Sequence, residues 1–288
     1  MYNRNKAIEN IAKGYKKSSH MTKSMRKLRD TIMRMNRRSR KQSDVIQDKY
    51  KFKLKIQKFA NVPETYAVEY SADVVSLLDR VKADTFVLKP IHLSRGIGIR
   101  TLTRNGNVFK DINGDELTIT DLSVEAGAIY KQHRLNLTSI NGVMAEEKLI
   151  SHPDLQWYSD VGIADLRFMY FKNEFIMGMG RFPTKESGGY SNIARGATWG
   201  MFSSLGKFTH DPRYKSTQIE NNKRLPFFIE MRNVGKKVVE QFGYLFQAVD
   251  MTVTPNGEVY VIESERTPQL EKYLTSEGIQ WAWSIVEE

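Results

Sequence analysis

The segment Gln247-Ala248-Val249-Asp250-Met251 decides the fold together with a second apolar segment, Val259-Tyr260-Val261-Ile262-Glu263-Ser264-Glu265-Arg266-Thr267-Pro268. The two are joined by Thr254-Pro255-Asn256-Gly257-Glu258, and an Asn-Gly pair between alternating apolar residues is a strong β-hairpin signal. Glu263 and Glu265 are two residues apart, so they share one face of a strand. The pattern therefore predicts a hairpin that brings three carboxylates to one end of a sheet.

The chemistry of these three carboxylates has two interpretations. Their hard oxygen ligands suit Mg²⁺, which commonly binds one or two carboxylates together with substrate phosphates. The simpler interpretation is a solvated acidic strand end, which is the more frequent meaning of an isolated Glu-x-Glu. The residues upstream are needed to decide between them.

The composition excludes several classes of protein. A length of 288 residues predicts one large or two small domains, and 40% hydrophobic with 27% charged residues is typical of a soluble globular protein. The sequence contains no apolar run of about 18 residues and no secretory signal, so we expect no transmembrane segment. The absence of cysteine excludes disulfides, thiolate zinc sites and cysteine nucleophiles, and it agrees with a cytoplasmic location.

The net charge of +11 is concentrated at the N-terminus, because residues 1–55 contain 18 Lys/Arg against 4 Asp/Glu. Residues 1–45 are predicted to form a basic helical arm with one apolar stripe. The arm could bind nucleic acid or another polyanion, or lie on a membrane surface. It could equally pack its stripe on the body of the protein and leave a solvated basic face. The stripe consists of Met25, Leu28, Ile32 and Met35.

A lysine and a glycine-containing loop follow one another in the first half of the chain. Residues 85–90 predict a strand with Lys89 near its end, and residues 91–102 contain Gly96 and Gly98 before a second strand. Backbone N–H groups of such a loop can cover phosphates, to which the lysine adds a point charge. The loop is neither a Walker A motif nor a Rossmann fingerprint, and a simple turn is the alternative.

A second hairpin is predicted to bring two arginines together. Residues 165–171 and 175–181 alternate as strands around a turn, so Asp165 and Arg167 share a face and Arg181 lies on the neighbouring strand. Two guanidinium groups on one face suit bidentate binding of phosphate or carboxylate. A ladder of surface salt bridges explains the same pattern.

The remaining segments complete the prediction. Residues 124–140 are predicted to be helical, residues 143–150 to form a strand, and residues 184–206 to form a long functional loop rich in Gly and Ser. Residues 226–243 predict the longest late helix. Its expected apolar positions are Ile229, Val234, Val238, Val239 and Phe242.

In this order the motifs resemble the ATP-grasp superfamily, and most of all its α-L-glutamate ligase-related, RimK-like carboxylate–amine ligases, over roughly residues 36–271. The resemblance is carried by Met35-Asn36-Arg37-Arg38, Gln47-Asp48-Lys49, Phe86-Val87-Leu88-Lys89-Pro90, the Arg95–Gly98 region, Glu146-Glu147-Lys148-Leu149, Asp165-Leu166-Arg167, Arg181-Phe182-Pro183-Thr184, Asn192-Ile193-Ala194-Arg195-Gly196, Asp250, Glu263, Glu265 and Pro268. It implies an α+β ATP-grasp fold, in which two α+β subdomains with antiparallel sheets clasp ATP. The implied subdomains are residues 46–145 and 146–288, after the arm of residues 1–45.

The resemblance also implies a role for each matching residue. Nucleotide binding falls to Lys89, Ser94, Arg95, Gly96, Gly98, Asp165 and the hinge Glu146, Glu147, Lys148 and Leu149, whose backbone would clasp adenine. Catalysis falls to Arg167, Arg181, Asn192 and Arg195. Mg²⁺ binding falls to Asp250, Glu263 and Glu265.

The sequence departs from the family pattern at three positions. Glu265 stands where the family has an asparagine metal ligand, which adds a negative charge to the site. Ala194 replaces a histidine, and Arg95 lies in a phosphate loop with fewer glycines than usual.

The implied reaction is an ATP- and Mg²⁺-dependent ligation of a carboxylate to an amine, through an acyl phosphate and with release of ADP. The substrates would be an amino acid and a peptide or other macromolecular acceptor, and the arm would recruit a polyanion or acidic macromolecule. Two alternatives stay open. One is a polyanion- or nucleic-acid-binding protein on a degenerate ATP-grasp scaffold, and the other is an ATP-grasp phosphotransferase.

Overall fold

Two six-stranded antiparallel sheets form the framework of the computed structural model, which describes residues 43–93, 96, 98–134, 142–209 and 219–266. Nearly all of the predicted arm, as well as Ser94, Arg95 and Pro268, lies outside the described residues. The α-helices of the described part are α1 Ser43–Gln47, α2 Lys49–Ile56, α3 Val74–Arg80, α4 Ile119–Arg134 and α5 Phe228–Val239. Within the described residues, no helix is long and apolar enough to cross a membrane.

The first sheet has the strand order β1-β6-β2-β3-β4-β5. Its strands are β1 Thr65–Glu69, β2 Thr85–Pro90, β3 Arg100–Asn105, β4 Val108–Asp111, β5 Glu116–Thr118 and β6 Val143–Glu147. Alternation along β2 places Phe86 and Leu88 in a core with α3, while Lys89 lies on the opposite face. Asp73 caps the start of α3, since its carboxylate accepts from the backbone N–H of Ser76 at 3.0 Å.

The second sheet has the order β10-β9-β8-β7-β11-β12 and contains both predicted hairpins. Its strands are β7 Asp165–Phe171, β8 Glu174–Phe182, β9 Thr198–Phe202, β10 Phe208–Thr209, β11 Phe246–Val253 and β12 Val259–Glu265. The turn between β7 and β8 is made by Lys172 and Asn173 with φ of 48° and 65°, the left-handed pair that a two-residue hairpin needs. The hairpin β11–β12 is confirmed, and all eight residues of β11 are buried.

Helix α2 packs on the second sheet although it precedes the first sheet in the chain. Phe52 and Ile56 are buried in the same core as Val261 of β12, and the Phe52 ring stacks on Phe242 with centroids 5.6 Å apart. Helix α5 covers the same sheet with Met231 and further apolar residues. Phe52 and Ile56 share the buried face of α2 with Lys49 and Lys53, and through these two apolar residues the helix packs on the second sheet.

The structure corrects the prediction of one long loop over residues 184–206. Its second half contains β9, every residue of which is buried. Gly200 fits there because an added Cβ would lie 2.8 Å from the Phe208 ring and 2.9 Å from Ile219. The segment Thr-Trp-Gly-Met-Phe contains the strand-favouring residues Thr, Trp and Phe, but Gly200 interrupts it within a Gly- and Ser-rich stretch, and this hid the strand.

Three smaller expectations also differ from the structure. Helix α4 begins at Ile119 instead of residue 124, and β6 ends at Glu147 instead of residue 150. Ile229 was expected to be an apolar core position but is 51% exposed, because the buried side of α5 is formed by Met231, Val238 and their neighbours. A helix face is set by its tertiary neighbours, which a single apolar residue does not reveal.

Candidate active site

A buried group of basic residues surrounds one carboxylate in the cleft between the sheets. We call Lys49, Lys53, Lys89 and Glu146 the lysine cluster. Lys53 and Lys89 donate to the two different carboxylate oxygens of Glu146, and Lys53 Nζ also donates to the Pro63 carbonyl at 3.1 Å. The cluster thus joins α2 to strands β2 and β6.

The start of helix α2 orients its lysines. Asp48 is fully buried and caps the helix by accepting from the backbone N–H groups of Tyr50 and Lys51, both at 3.0 Å. Tyr70 also donates to Asp48 at 3.2 Å, which ties the cap to the end of β1. Lys49 and Lys53 are four residues apart and therefore lie on one face of the helix, turned toward β2 and β6.

Lys49 connects the two sheets. Its backbone N–H donates to the Ile91 carbonyl at 3.2 Å, and its Nζ donates to the Leu93 carbonyl, both just after β2. The same Nζ lies 3.6 Å from a carboxylate oxygen of Glu263 on β12. Lys49 therefore holds the beginning of the glycine-containing loop next to one of the predicted metal ligands.

The lysine cluster carries more positive than negative charge in a dry environment. Lys53 is 2% exposed and Lys89 is 3% exposed, against 4% for Glu146. Burial lowers the pKa of Lys53 to about 8 and also lowers the pKa of Lys49, and the charge of Lys89 adds to both effects while Glu146 opposes them. Such an excess of buried positive charge favours binding of an anion.

Glu146 is held in its ionised form. Burial alone would raise its pKa, but the charges of Lys89 and Lys53 outweigh burial and lower it. The carboxylate is thus a permanent partner of the two lysines. Lys53 and Glu146 were not singled out as a pair by the sequence, although the four-residue spacing from Lys49 could have indicated Lys53.

A second cluster of charges lies on the second sheet, where Asp165, Arg167, Arg181, Asp250 and Glu265 meet; we call it the arginine cluster. Strand register places Arg167 beside Asp250, and Asp165 beside Arg181. Arg167 contacts Asp250 at 2.6 Å and Glu265 at 2.9 Å, while Arg181 contacts Asp165 at 2.6 Å and Asp250 at 3.0 Å. Because Arg167 and Asp250 are buried, this network is not the surface ladder that was the alternative.

The carboxylates of the arginine cluster differ in proton affinity. Burial would raise the pKa of Asp250, but the charges of Arg167 and Arg181 lower it. Burial raises the pKa of Asp165 to about 7, and the charge of Asp250 raises it further against the opposing effect of Arg181. Burial and the charges of Asp250 and Glu263 likewise raise the pKa of Glu265. A bound cation would reduce the repulsion among these carboxylates.

The predicted metal ligands have the right donor chemistry but are held by basic side chains. Asp250 and Glu263 are paired across β11 and β12, and carboxylate oxygens suit Mg²⁺. Arg167 occupies both oxygens of Asp250 and one of Glu265. Among the described residues, no three potential ligands converge as a ready metal site. The role of the three carboxylates in metal binding therefore stays a prediction.

The predicted hinge leaves the first sheet after Glu147. Glu146 pairs with both β1 and β2, and the Glu147 backbone N–H donates to the Glu64 carbonyl at 2.8 Å. Lys148 and Leu149 follow outside the strand. Three residues after Leu149, the His152 backbone N–H donates to the Val253 carbonyl of β11 at 2.7 Å. Glu146 thus contributes its side chain to the cleft, and Lys148 and Leu149 make the crossing between the sheets.

The glycine-containing loop after β2 contacts the segment between β8 and β9 of the second sheet. Gly96 and Gly98 have φ of 71° and 69°, a region that favours glycine, and an added Cβ at Gly96 would lie 3.2 Å from the Asn192 amide. Arg195 instead stacks on Tyr190, with its guanidinium 4.4 Å from the ring centroid. The structure therefore brings Asn192 to the loop and places Arg195 against the Tyr190 ring.

The segment that carries Asn192 is a structured loop between β8 and β9. Thr184 and Ser187 exchange hydrogen bonds of 2.9 and 3.0 Å, and the Thr184 hydroxyl donates to the Gly196 carbonyl at 3.0 Å. At its tip, an added Cβ on Gly188 would overlap Asn113 in the β4–β5 turn. The loop thus reaches from the second sheet to the β4–β5 turn of the first.

Comparison with known proteins gives a family and a fold. A family model described as sugar-transfer associated ATP-grasp matches residues 28–279. No curated protein matches the sequence significantly. A D-alanine–D-alanine ligase from Helicobacter pylori has a similar structure, with a TM-score of 0.52 and 14% identity over 84% of this chain and 61% of that chain.

Two further structures are similar at lower TM-scores. The D-cycloserine synthetase DcsG has a TM-score of 0.47 and 11% identity over 85% of this chain and 70% of that chain. A RimK domain ATP-grasp protein from Sphaerobacter thermophilus has a TM-score of 0.42 and 12% identity over 84% of this chain and 67% of that chain. The described chain is therefore shorter than these proteins and spans less than two thirds of the D-alanine–D-alanine ligase.

Proposed function

The chain belongs to the sugar-transfer associated ATP-grasp family, and from this premise we propose that it is an ATP- and Mg²⁺-dependent ligase that joins a carboxylate to an amine. Family membership confirms the predicted superfamily, and the two antiparallel sheets confirm the predicted α+β ATP-grasp fold. The reaction and the role of each residue are what we propose.

The observation that supports the proposal best is the pair of charge clusters on the two sides of one cleft. The lysine cluster supplies buried positive charge from α2 and β2, and the arginine cluster supplies paired guanidinium and carboxylate groups from the second sheet. A binding module for polyanions needs neither buried lysines nor a buried carboxylate network. Phosphoryl transfer can use both, because it depends mainly on positioning and neutralisation of charge.

In the first step, a carboxylate oxygen of the substrate attacks the γ-phosphorus of ATP. The bond from that phosphorus to the bridging oxygen breaks, and ADP leaves with the electron pair. Lys89 and Lys49 would neutralise the polyphosphate, and Arg181 would face the transferred group. Arg181 is the better placed of the two paired arginines, since its side chain is 18% exposed against 6% for Arg167.

In the second step, the amine nitrogen attacks the acyl carbon of the acyl phosphate. The carbon–oxygen bond to phosphate breaks, inorganic phosphate leaves, and the nitrogen loses a proton to solvent. The glycine loop and the loop of residues 184–196 would exclude water from this intermediate, because they meet over the cleft at Gly96 and Asn192.

Mg²⁺ would be held by Asp250, Glu263 and Glu265. When bound, the ion neutralises charge on the β- and γ-phosphates. Since Arg167 holds Asp250 and Glu265, its guanidinium orients both carboxylates, and its charge helps to lower the pKa of Asp250.

An amino acid and a peptide or macromolecular acceptor are the substrates we propose. Because the family is described as sugar-transfer associated, carbohydrates that carry a carboxylate or an amine belong in the same test. Recruitment of an acidic macromolecule by the basic arm, and a cytoplasmic location, belong to the same proposal. Deletion of residues 1–34 should then weaken binding of acidic partners and reduce its salt dependence.

The experiment is a calorimetric titration with ATP in Mg²⁺ buffer, followed by measurement of ADP release with amino acids, acidic peptides, amino sugars and uronic acids. We expect binding of ATP and acceptor-dependent release of both ADP and inorganic phosphate. Transfer of phosphate to the acceptor without ligation would instead indicate the phosphotransferase. A folded protein that binds no nucleotide would exclude both reactions and leave the polyanion-binding alternative.

A further inference from the structure

Lys53 and Glu146 are buried charged residues to which the proposed reaction gives no task. Lys53 is nearly inaccessible, and its Nζ donates to Glu146 and to the Pro63 carbonyl. A buried lysine loses hydration, and a hydrophobic residue of similar length would avoid that cost. Its presence at this buried position therefore calls for a role beyond packing.

Glu146 divides its carboxylate between two lysines from different elements. One oxygen accepts from Lys53 on α2, and the other contacts Lys89 on β2. Because both oxygens are engaged, the position of Lys89 depends on where Lys53 holds the other end of the carboxylate. Lys89 is the ammonium group that the proposed function assigns to the phosphates.

Helix α2 fixes Lys53 to the opposite sheet. Phe52 and Ile56, its neighbours on the helix, are buried in the core of the second sheet, whereas Glu146 and Lys89 belong to the first. Through its contact with Glu146, Lys53 therefore makes the orientation of Lys89 on the first sheet depend on where the second sheet lies.

We propose that Lys53 and Glu146 are positioning residues for Lys89, which they hold in its phosphate-binding orientation from the second sheet. The inference rests on the proposed function, since it requires that Lys89 contacts a nucleotide. Without Lys53, one oxygen of the buried Glu146 loses its partner and competes for the Lys89 ammonium. Lys89 is then drawn onto the carboxylate and away from the cleft.

The lowered pKa of Lys53 agrees with this assignment. The charged groups that face it are Glu146 and Glu147 on β6 and Lys89 on β2, and its proton is lost near pH 8. The bridge should therefore weaken as pH rises through about 8, and ATP affinity should decline with it. A Lys53→Met variant should lack that part of the pH dependence.

A double-mutant cycle tests the proposal through ATP affinity measured by calorimetry in Mg²⁺ buffer. Lys53→Met should weaken ATP binding by about 10- to 100-fold in the otherwise unchanged protein, the range expected for a charged hydrogen bond. In a Lys89→Met background, the same substitution should change affinity by less than about 2-fold, because Lys53 acts only through Lys89. Circular dichroism and thermal unfolding check that each variant is folded.

The cycle has a second route and a control. Glu146→Gln, alone and with Lys89→Met, gives the same cycle if Lys53→Met does not fold. Lys58→Met removes an exposed lysine just after α2 and should leave ATP affinity unchanged. Losses that add in the Lys89→Met background would overturn the inference while leaving the proposed function intact. Absence of ATP binding by the unchanged protein would overturn both.

Discussion

Arg167 donates from Nε and Nη2 to the two carboxylate oxygens of Asp250, at 2.7 and 2.6 Å, across the β7–β11 pair. This bidentate contact is the best defined interaction of the cleft, because both residues are buried and lie opposite each other in the sheet. It links the arginine predicted for catalysis to the carboxylate predicted for metal binding. The two predicted roles are therefore physically coupled.

The first prediction concerns the cost of breaking this pair. Arg167→Met should destabilise the protein by about 3–5 kcal/mol, because it leaves Asp250 buried with much less compensating charge. Urea unfolding measures the change. Lys236→Met, which removes an exposed partner of Glu174 at 2.6 Å, is the control and should have little effect. Equal stabilities of the two variants would contradict the coupling.

The second prediction concerns Glu263. Glu263→Gln should abolish ADP release and raise the Mg²⁺ concentration needed for activity, while thermal unfolding stays close to that of the unchanged protein. Glu263 is paired with Asp250 across the strands, its carboxylate lies 3.6 Å from the Lys49 ammonium, and its side chain is 26% exposed, so the substitution should perturb the fold little. Glu258→Gln in the neighbouring turn is the matched control. Undiminished turnover of the Glu263 variant would remove the metal assignment.

The third prediction uses the pKa of Asp165, which is raised to about 7 in the folded protein from 3.8. Between these values the folded state binds a proton that the unfolded state has released, so stability falls as pH rises through this window. Asp165→Asn cannot titrate. The stability of the unchanged protein relative to this variant should therefore decrease from pH 4 to pH 7.

Denaturant unfolding of both proteins at several pH values measures this difference. A difference that stays constant, or that increases with pH, would show that Asp165 is ionised throughout and that Arg181 neutralises it fully. The ion pair between the two residues, at 2.6 Å, is the interaction that opposes the rise in pKa.

The fourth prediction compares two helical glycines. In α5, an added Cβ at Gly235 would overlap the Tyr170 hydroxyl, which donates to the Arg232 carbonyl at 2.8 Å. Gly235→Ala should therefore destabilise the protein by about 1–3 kcal/mol, as overpacking does. Gly127→Ala in α4 meets nothing within 4 Å and should stabilise by up to about 1 kcal/mol, because alanine favours a helix. Thermal unfolding that ranks the two variants in the opposite order would refute the packing argument.

Much of the second sheet could be predicted from local sequence. Alternation and a turn located the β7–β8 and β11–β12 hairpins, because strand pairing across a short turn is a local property. The same alternation correctly placed Asp165 and Arg167 on one face next to Arg181. Strand β9 was missed because its burial depends on Phe208 and Ile219, which approach Gly200 from elsewhere in the chain.

The sequence by itself determined which charges are available: a Glu-x-Glu on a hairpin, an arginine on each of two strands, and Lys89 at the end of β2. It could do so because strand periodicity and turn chemistry act over a few residues. Only the tertiary structure decided how these charges are paired. Lys53 reaches Glu146, 93 positions away, since Phe52 and Ile56 on the same buried face of α2 pack on the second sheet and hold Lys53 beside the first. Burial then makes such pairs strong, because the interior screens charge far less than water does.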